Sequence, residues 1–336
     1  MMGAVPRTTL GRTGLEVGRL SLGAWGFQNP AAPEPARIDD PETLREVISA
    51  SFDAGMNLID SAEVYANETL LGEIVNGLPN RPTDLVVSTK FGHGKGFSGE
   101  QIVESVERSL EAWGIPSIPL FMLHDPRTAD DMATIAAADG ALPALRRLQD
   151  QGLVGSIGIA TGTLEPLLLA VESDEYDVIQ FPRLYTLLNG AAKTSGLLEK
   201  AKAKNIGTIL TSPFTGNILG TGVRGVEKPF YSFFPAIDEV VEAVARLEAK
   251  ADELGISLPT AAVAYPAQEE LIDVIVLGVT SVRELEEDIA AMTADISPEA
   301  LAELAAAGAI DPHYLGGPQF TLPFPADRRD EVFARR

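Results

Sequence analysis

The chain has 336 residues, of which 26 are basic and 48 acidic, for a formal net charge of −22. A chain this acidic, with no stripe of Lys and Arg, repels a phosphate polymer and excludes nucleic acid as a partner. Cysteine is absent, which removes disulfides, thiolate nucleophiles and Cys-ligated zinc, and with only His93, His124 and His313 a His-rich metal centre is hard to build. The apolar fraction of 45% is enough to bury a large core. No run approaches the ~20 apolar residues of a membrane span, and nothing near the N-terminus fits a signal peptide, so a soluble, cytoplasmic protein is expected. Any chemistry falls to carboxylates, Lys, Tyr and one or two His.

In chain order, a hairpin comes first: TTLGRTGLEV at 8–17 brackets a turn with Gly11 and Gly14 and is placed to plug a barrel floor. Short runs rich in Val, Ile and Leu then alternate with segments of helical period. RLSLG, ending at Gly23, precedes a helix at 41–54, with Asp40 as N-cap and Pro41 in the first turn. NLID at 57–60 leads to a helix at 68–76. DLVVSTK at 84–90 leads to one at 99–113, which Ser98 caps and Gly114 stops. PLFMLH at 119–124 is followed by a loop at 126–138 and a helix at 140–151, and LVGSIGIAT at 153–161 by a helix at 163–172. YDVIQF at 176–181 precedes a helix at 190–204. IGTILTS at 206–212 precedes a long loop at 215–235 and a helix at 236–254, and DVIVLG at 273–278 precedes a helix at 281–292.

Those are eight βα repeats, and their strands are apolar throughout rather than alternating, as when both faces are covered. The predicted fold is α/β: a (β/α)8 TIM barrel forming a single domain over 1–336, with an N-terminal β-hairpin and a C-terminal tail. The tail carries Pro318, Phe320, Pro323 and Phe324, apolar enough to cover the mouth or to dock on the barrel wall.

Catalytic groups of such barrels sit at the C-terminal strand ends. Those positions hold Asp60 after the second strand, Lys90 after the third and His124 after the fourth, with Tyr65 in the loop behind Asp60. Each alone also fits a plain structural role: a turn cap, a solvated lysine, a packed aromatic, a core imidazole. Together, at consecutive strand ends, they form a proton-transfer set. A phenol titrates near ~10, and a neighbouring Lys90 ammonium is expected to pull Tyr65 down. Asp60 is expected to hold Lys90 charged, and His124 to hydrogen-bond the reacting oxygen. The set contains no strong nucleophile and no metal cluster. It suits carbonyl–alcohol interconversion, with hydride carried by a cofactor.

The motifs LGRTGLEVGRLSLGAW, AGMNLIDSAEVYANETLLGE, STKFG and LHDP, in that order and spacing, resemble the aldo-keto reductase superfamily over nearly the whole chain. The resemblance implies a (β/α)8 barrel that binds NAD or NADP across the strand ends without a GxGxxG fingerprint, and its catalytic tetrad carries over onto Asp60, Tyr65, Lys90 and His124. It implies cofactor contacts from Gly23, Ala24, Trp25 and Asp60 on one side of the mouth, and substrate contacts from Trp25, Tyr65, Phe97 and His124. Where many members have Ser-Asn after the fifth strand, this chain has Ala160-Thr161. Thr161 still offers a hydroxyl, and Gln180 matches the carboxamide-binding glutamine. The aromatic that often stacks on nicotinamide is replaced by Thr211, so stacking either comes from elsewhere, with Trp25, Tyr185 or Phe214 as candidates, or is weaker. Ser212, Pro213, Phe214 and Gly216 follow as cofactor contacts. RLYTLLN, SPFTGNILGTG and SPEALAELAAAGAIDP look most like the aldose 1-dehydrogenases of fucose and threo-aldose type.

LGVTSVRELEED matches the adenosine-phosphate motif. Gly278, Val279 and Thr280 would meet phosphate at a helix N-terminus capped by Thr280 or Ser281, and Arg283, Glu287 and Asp288 lie along the adenosine. The arginine that often grips the 2′-phosphate is Glu284 here, and Arg283 projects about 100° away around the helix. NAD is therefore expected to be preferred over NADP, or both accepted. Two other functions remain: a broad NADPH-dependent aldehyde and ketone reductase, and a non-catalytic cofactor-binding sensor or auxiliary subunit.

Overall fold

The computed structural model describes residues 3–29, 32, 37–232 and 234–310. Eight parallel strands close into a barrel: Leu20–Gly23, Leu58–Asp60, Val86–Phe91, Ile118–His124, Val154–Ala160, Val178–Gln180, Gly207–Thr211 and Val274–Leu277, the last pairing with the first. Each predicted strand lies within its expected segment or one residue beyond it. The helices that were expected at 41–54, 68–76 and 99–113 appear as Pro41–Asp53, Glu68–Asn76 and Gly99–Trp113. Their ends follow from local chemistry. The Asp40 carboxylate accepts from the Thr43 amide, and Ser98 and Gln101 form a reciprocal capping box.

The strand period of two explains both the core and the mouth. One buried cluster fills the barrel interior and includes Leu58, Val86, Leu120, Met122, Val178, Ile209, Val274 and Val276. Two residues further along the same strands, on the same inward face, stand Asp60, Ser88, Gln180 and Thr211, and one more step gives Lys90; His124 follows Met122 in the same way. The candidate site is thus the polar top layer of the barrel core. At the other end the hairpin Arg7–Thr9 with Glu16–Gly18 inserts Leu10 and Val17, both 0% exposed, into this cluster and closes the floor as expected.

Four expectations need correction. The loop at 126–138 contains a helix, Ala129–Ala136, because Thr128 and Asp131 build a capping box. The single helix at 190–204 is two, Ala191–Thr194 and Leu197–Ala203, since Gly196 takes a left-handed φ of 73° that no continuous helix allows. The long loop at 215–235 contains a single helical turn, Ile218–Thr221, and a small ladder of Phe230–Tyr231 against Phe234–Pro235. Two helices, Leu258–Ala267 and Pro298–Gly308, lie outside the repeat count and pack with Asp238–Leu254 around a second core. The expected C-terminal tail lies outside the described residues. Among them, no helix is long and apolar enough to cross a membrane.

Candidate active site

Asp60 ends the second strand opposite Ser88, and Lys90 lies two residues beyond Ser88 on the same face, so its ammonium comes over the carboxylate. Lys90 Nζ donates to Asp60 Oδ1 at 2.8 Å and to the Ser61 carbonyl at 2.6 Å, and Ser88 Oγ donates to the same carboxylate oxygen at 2.8 Å. Asp60 and Lys90 are 5% and 2% exposed. Burial presses the ammonium below its ordinary pKa, and the charge and hydrogen bond of Asp60 oppose this. Asn67 ties the neighbouring turn in place, donating to the carbonyls of Ala24 and Phe27 at 2.8 Å, so that Gly23, Ala24 and Trp25 are fixed at the rim.

Tyr65 sits on the 3-10 turn Glu63–Tyr65, and Glu63 is anchored by Lys95 at 3.0 Å and Arg108 at 3.1 Å. Lys90 Nζ lies 5.8 Å from the Tyr65 ring centre, and the His124 ring meets Tyr65 edge-on at 6.1 Å and 85°. All four expected residues therefore converge. The expected lowering of the Tyr65 pKa does not occur: burial raises it, and the negative charges of Asp60 and Asp125 raise it further. The Lys90 charge is already matched by Asp60, which leaves little to stabilise a phenolate, so the phenol stays protonated. His124 is pushed down to about 3 by burial and by the positive charge of Lys90, so its imidazole is neutral at physiological pH, and its Nδ1 is buried without a partner among the described residues.

Around the other half of the mouth, Gln180 is 3% exposed and its Nε2 is likewise buried and unpartnered, which fits a carboxamide-binding role. Thr161 is 1% exposed and its hydroxyl accepts from the Thr163 amide at 3.1 Å. Thr211 ends the seventh strand, and Ser212 follows at a φ of 55°, beside Pro213, Phe214 and Gly216. Tyr185 is stacked on Tyr265 at 5.0 Å and 7° and donates to Glu269. Phe97, expected to touch substrate, is 8% exposed in the main core.

After the eighth strand come Gly278, Val279 and Thr280, and Ser281 caps the helix Val282–Met292. Glu284 folds back over that N-terminus: its Oε2 accepts from the Thr280 amide at 2.7 Å and the Thr280 hydroxyl at 2.8 Å. Arg283 extends outward and pairs with Glu287 at 2.8 Å. Asp288 is buried with Glu284 and Glu287 nearby, and burial with those two charges pushes its carboxyl up to about 7.

Nothing in the sequence pattern singles out His93 and Asp125, yet both join the site. His93 packs against His124 with ring centres 5.4 Å apart, and its Nδ1 lies 3.0 Å from Asp125 Oδ2. The available signal was adjacency, because Asp125 follows His124 in LHDP and His93 stands three residues after Lys90.

The family model for aldo/keto reductases matches residues 19–309. A probable voltage-gated potassium channel subunit beta from Arabidopsis thaliana is 24% identical over 314 residues, covering 86% of this chain and 91% of its own. A D-threo-aldose 1-dehydrogenase from Pseudomonas sp is 28% identical over 291 residues, covering 78% and 86%. A solved structure described as a putative aldo-keto reductase from Pseudomonas aeruginosa shares the fold, with a TM-score of 0.62 at 20% identity over 86% of this chain and 96% of that one. The barrel, the strand-end site and the span of the family match agree: the chain belongs to the aldo/keto reductase family, whose members are oxidoreductases.

Proposed function

We propose that this protein is an NAD(P)-dependent oxidoreductase that interconverts a carbonyl (aldehyde, ketone or lactone) with an alcohol or lactol on a sugar or other small carbonyl compound, Tyr65 acting as general acid and base. The observation that carries the reading is the stacked order of groups: the Asp60–Lys90 pair at 2.8 Å below Tyr65, and a neutral His124 edge-on to its ring. In reduction, the Tyr65 phenol gives its proton to the carbonyl oxygen, and His124 donates a hydrogen bond to that oxygen. The burial that keeps the phenol protonated suits this role. In oxidation the step reverses: Tyr65 must enter as the phenolate, the form its surroundings disfavour, and returns to the neutral phenol on taking the hydroxyl proton. A bound nicotinamide supplies or accepts the hydride. Gln180 would hold its carboxamide, and the capped turn at Thr280–Ser281 would receive phosphate.

NAD is the preferred dinucleotide in this reading. The Glu284 carboxylate occupies the Thr280 amide, and Arg283 is committed to Glu287, so a 2′-phosphate would meet negative charge. The similarity to a protein named as an aldose 1-dehydrogenase supports a sugar substrate over a broad range of aldehydes and ketones taken with NADPH. The similarity to a protein named as a channel subunit favours an auxiliary, non-catalytic role, against which stands the complete proton-transfer set.

The test is Tyr65→Phe, assayed with a panel of aldoses and both dinucleotides by the absorbance of reduced nicotinamide. Turnover should fall by about 10²–10⁴-fold while dinucleotide affinity, read by protein fluorescence, stays within about twofold. Unchanged turnover would refute the role of Tyr65, and no turnover in the parent protein with any pair would favour the auxiliary reading.

A further inference from the structure

Beside the proton-transfer set lies a second polar group for which the reaction has no evident use. Asp125 directly follows His124 and is held in a left-handed conformation, φ 63°, by its amide donating to the Ala160 carbonyl at 2.7 Å. A non-glycine residue in that region stores strain, and strain of this kind concentrates where a side chain must be aimed. The conformation turns the carboxylate toward the mouth, where Oδ2 takes His93 Nδ1 at 3.0 Å and the Arg127 guanidinium. Among the described residues, Oδ1 has only a long contact, 3.4 Å, from the Thr161 hydroxyl. His93 and Arg127 keep this carboxyl down at about 2 against the cost of burial, so it is an acceptor and nothing else.

That fixes the histidine. An ionised carboxylate accepts only from a protonated nitrogen, so Nδ1 of His93 carries hydrogen and Nε2 is left for another partner. Among the described residues, His93 has no second hydrogen bond; its other contact is the face of His124, with ring centres 5.4 Å apart and tilted by 42°. The loop that carries it is pinned from both sides. Gly92 adopts a φ of 132°, and a Cβ there would lie 2.3 Å from the Phe97 ring, so Phe97 fixes the turn from below. Gln101 donates to the Lys95 carbonyl at 2.8 Å, and Lys95 reaches Glu63 beside Tyr65 at 3.0 Å.

We propose that His93, oriented by Asp125, is a substrate-binding residue: it holds a hydroxyl on the carbon next to the one that reacts and selects polyhydroxylated substrates over simple carbonyl compounds. This rests on the oxidoreductase reading above for the identity of the reacting carbon. Two imidazoles side by side, one addressing the reacting oxygen and one its neighbour, can read a pair of adjacent oxygens. The His93 side chain is 36% exposed in the free protein, so a bound sugar must itself cover the imidazole; an analogue that covers it but lacks the hydroxyl then leaves Nε2 unpaired and is rejected.

The experiment compares D-galactose with 2-deoxy-D-galactose and D-glucose with 2-deoxy-D-glucose. The ratio of kcat/KM within each pair is measured for the parent protein, His93→Phe and His93→Gln. A parent ratio of about tenfold or more in favour of the hydroxylated sugar should collapse to about twofold or less in His93→Phe and recover partly in His93→Gln, which restores a polar end. The same sugars are titrated by calorimetry into Tyr65→Phe protein saturated with NAD, with and without His93→Phe, so that binding is read without turnover. A within-pair ratio that is the same with His93 and with Phe, in either readout, overturns the proposal. Turnover with an unchanged ratio sinks the hydroxyl subsite alone. A binding ratio that collapses in a protein that turns over none of these sugars keeps the subsite and sinks the oxidoreductase reading.

Discussion

On the arc of the mouth formed by the second, third and fourth strands, charges are matched within the chain, one pair of them buried. Lys90 meets Asp60, Asp125 meets His93 and Arg127, and Glu63 meets Lys95 and Arg108. On the arc where a dinucleotide would lie, they are not. The buried Gln180 Nε2 has no partner among the described residues, and Asp288 is buried between Glu284 and Glu287, its carboxyl raised to about 7. On the first arc the charges are matched within the chain, and among the described residues His124 Nδ1 is left without a partner. The second carries polar groups that the chain does not satisfy, as expected where a ligand supplies the partner. Substitutions on the two arcs should therefore change stability with opposite signs.

The larger effect belongs to the matched arc. Lys90→Met removes one half of a buried pair and leaves the Asp60 carboxylate with Ser88 as its one side-chain partner among the described residues. Breaking a buried pair in this way costs about 3–5 kcal/mol, and urea unfolding should show a midpoint lowered accordingly. A midpoint unchanged within error would mean that the pair is not compensated as the geometry indicates, and the contrast between the arcs would fail.

On the unmatched arc, Asp288→Asn should stabilise. The Asp288 carboxyl is raised from 3.8 to about 7, so the folded protein holds this proton more tightly than the unfolded chain. Stability is then fully present below about pH 4, falls as pH rises through about 7, and is flat above. The amide has no charge to bury. At pH 8 it should gain on the order of 2–4 kcal/mol over the parent, and near pH 4 the two proteins should melt together. A gain of equal size at both pH values would point to packing rather than ionisation.

The contrast also marks how far the sequence could be read. Apolar strand runs ending in Asp60, Lys90 and His124 locate the barrel and one arc of its mouth, because the inward face continues from hydrophobic core to polar rim in steps of two residues. What escaped the pattern escaped for physical reasons. Leu258–Ala267 is apolar on all sides and buried between other helices, so it has no stripe to betray it. The polarity of the Tyr65 shift depends on Asp60 already matching Lys90, a balance that residue types alone do not reveal. His93 reaches Asp125 only because a strained backbone and a pinned loop bring the two together across 32 positions of chain.

The smallest effect tests selectivity on the unmatched arc. Glu284 is exposed, so at about 5 Å a full charge there is worth about 1 kcal/mol against a 2′-phosphate, a preference for NAD of about fivefold. Two variants separate charge from shape. Glu284→Gln keeps an oxygen to accept from the Thr280 amide and loses only the charge, so the ratio of the NADP to the NAD dissociation constant should fall by about fivefold. Glu284→Arg reverses the charge and should carry the ratio at least another fivefold, to a preference for NADP. Fluorescence titration of the three proteins with both dinucleotides gives the ordering, and raising the salt concentration should compress it, because the site faces solvent. Tighter NADP binding by tenfold in the parent protein would remove Glu284 as a selector. Equal ratios in the Glu and Gln proteins would assign the selection to the shape of the turn at Thr280–Ser281 instead of its charge.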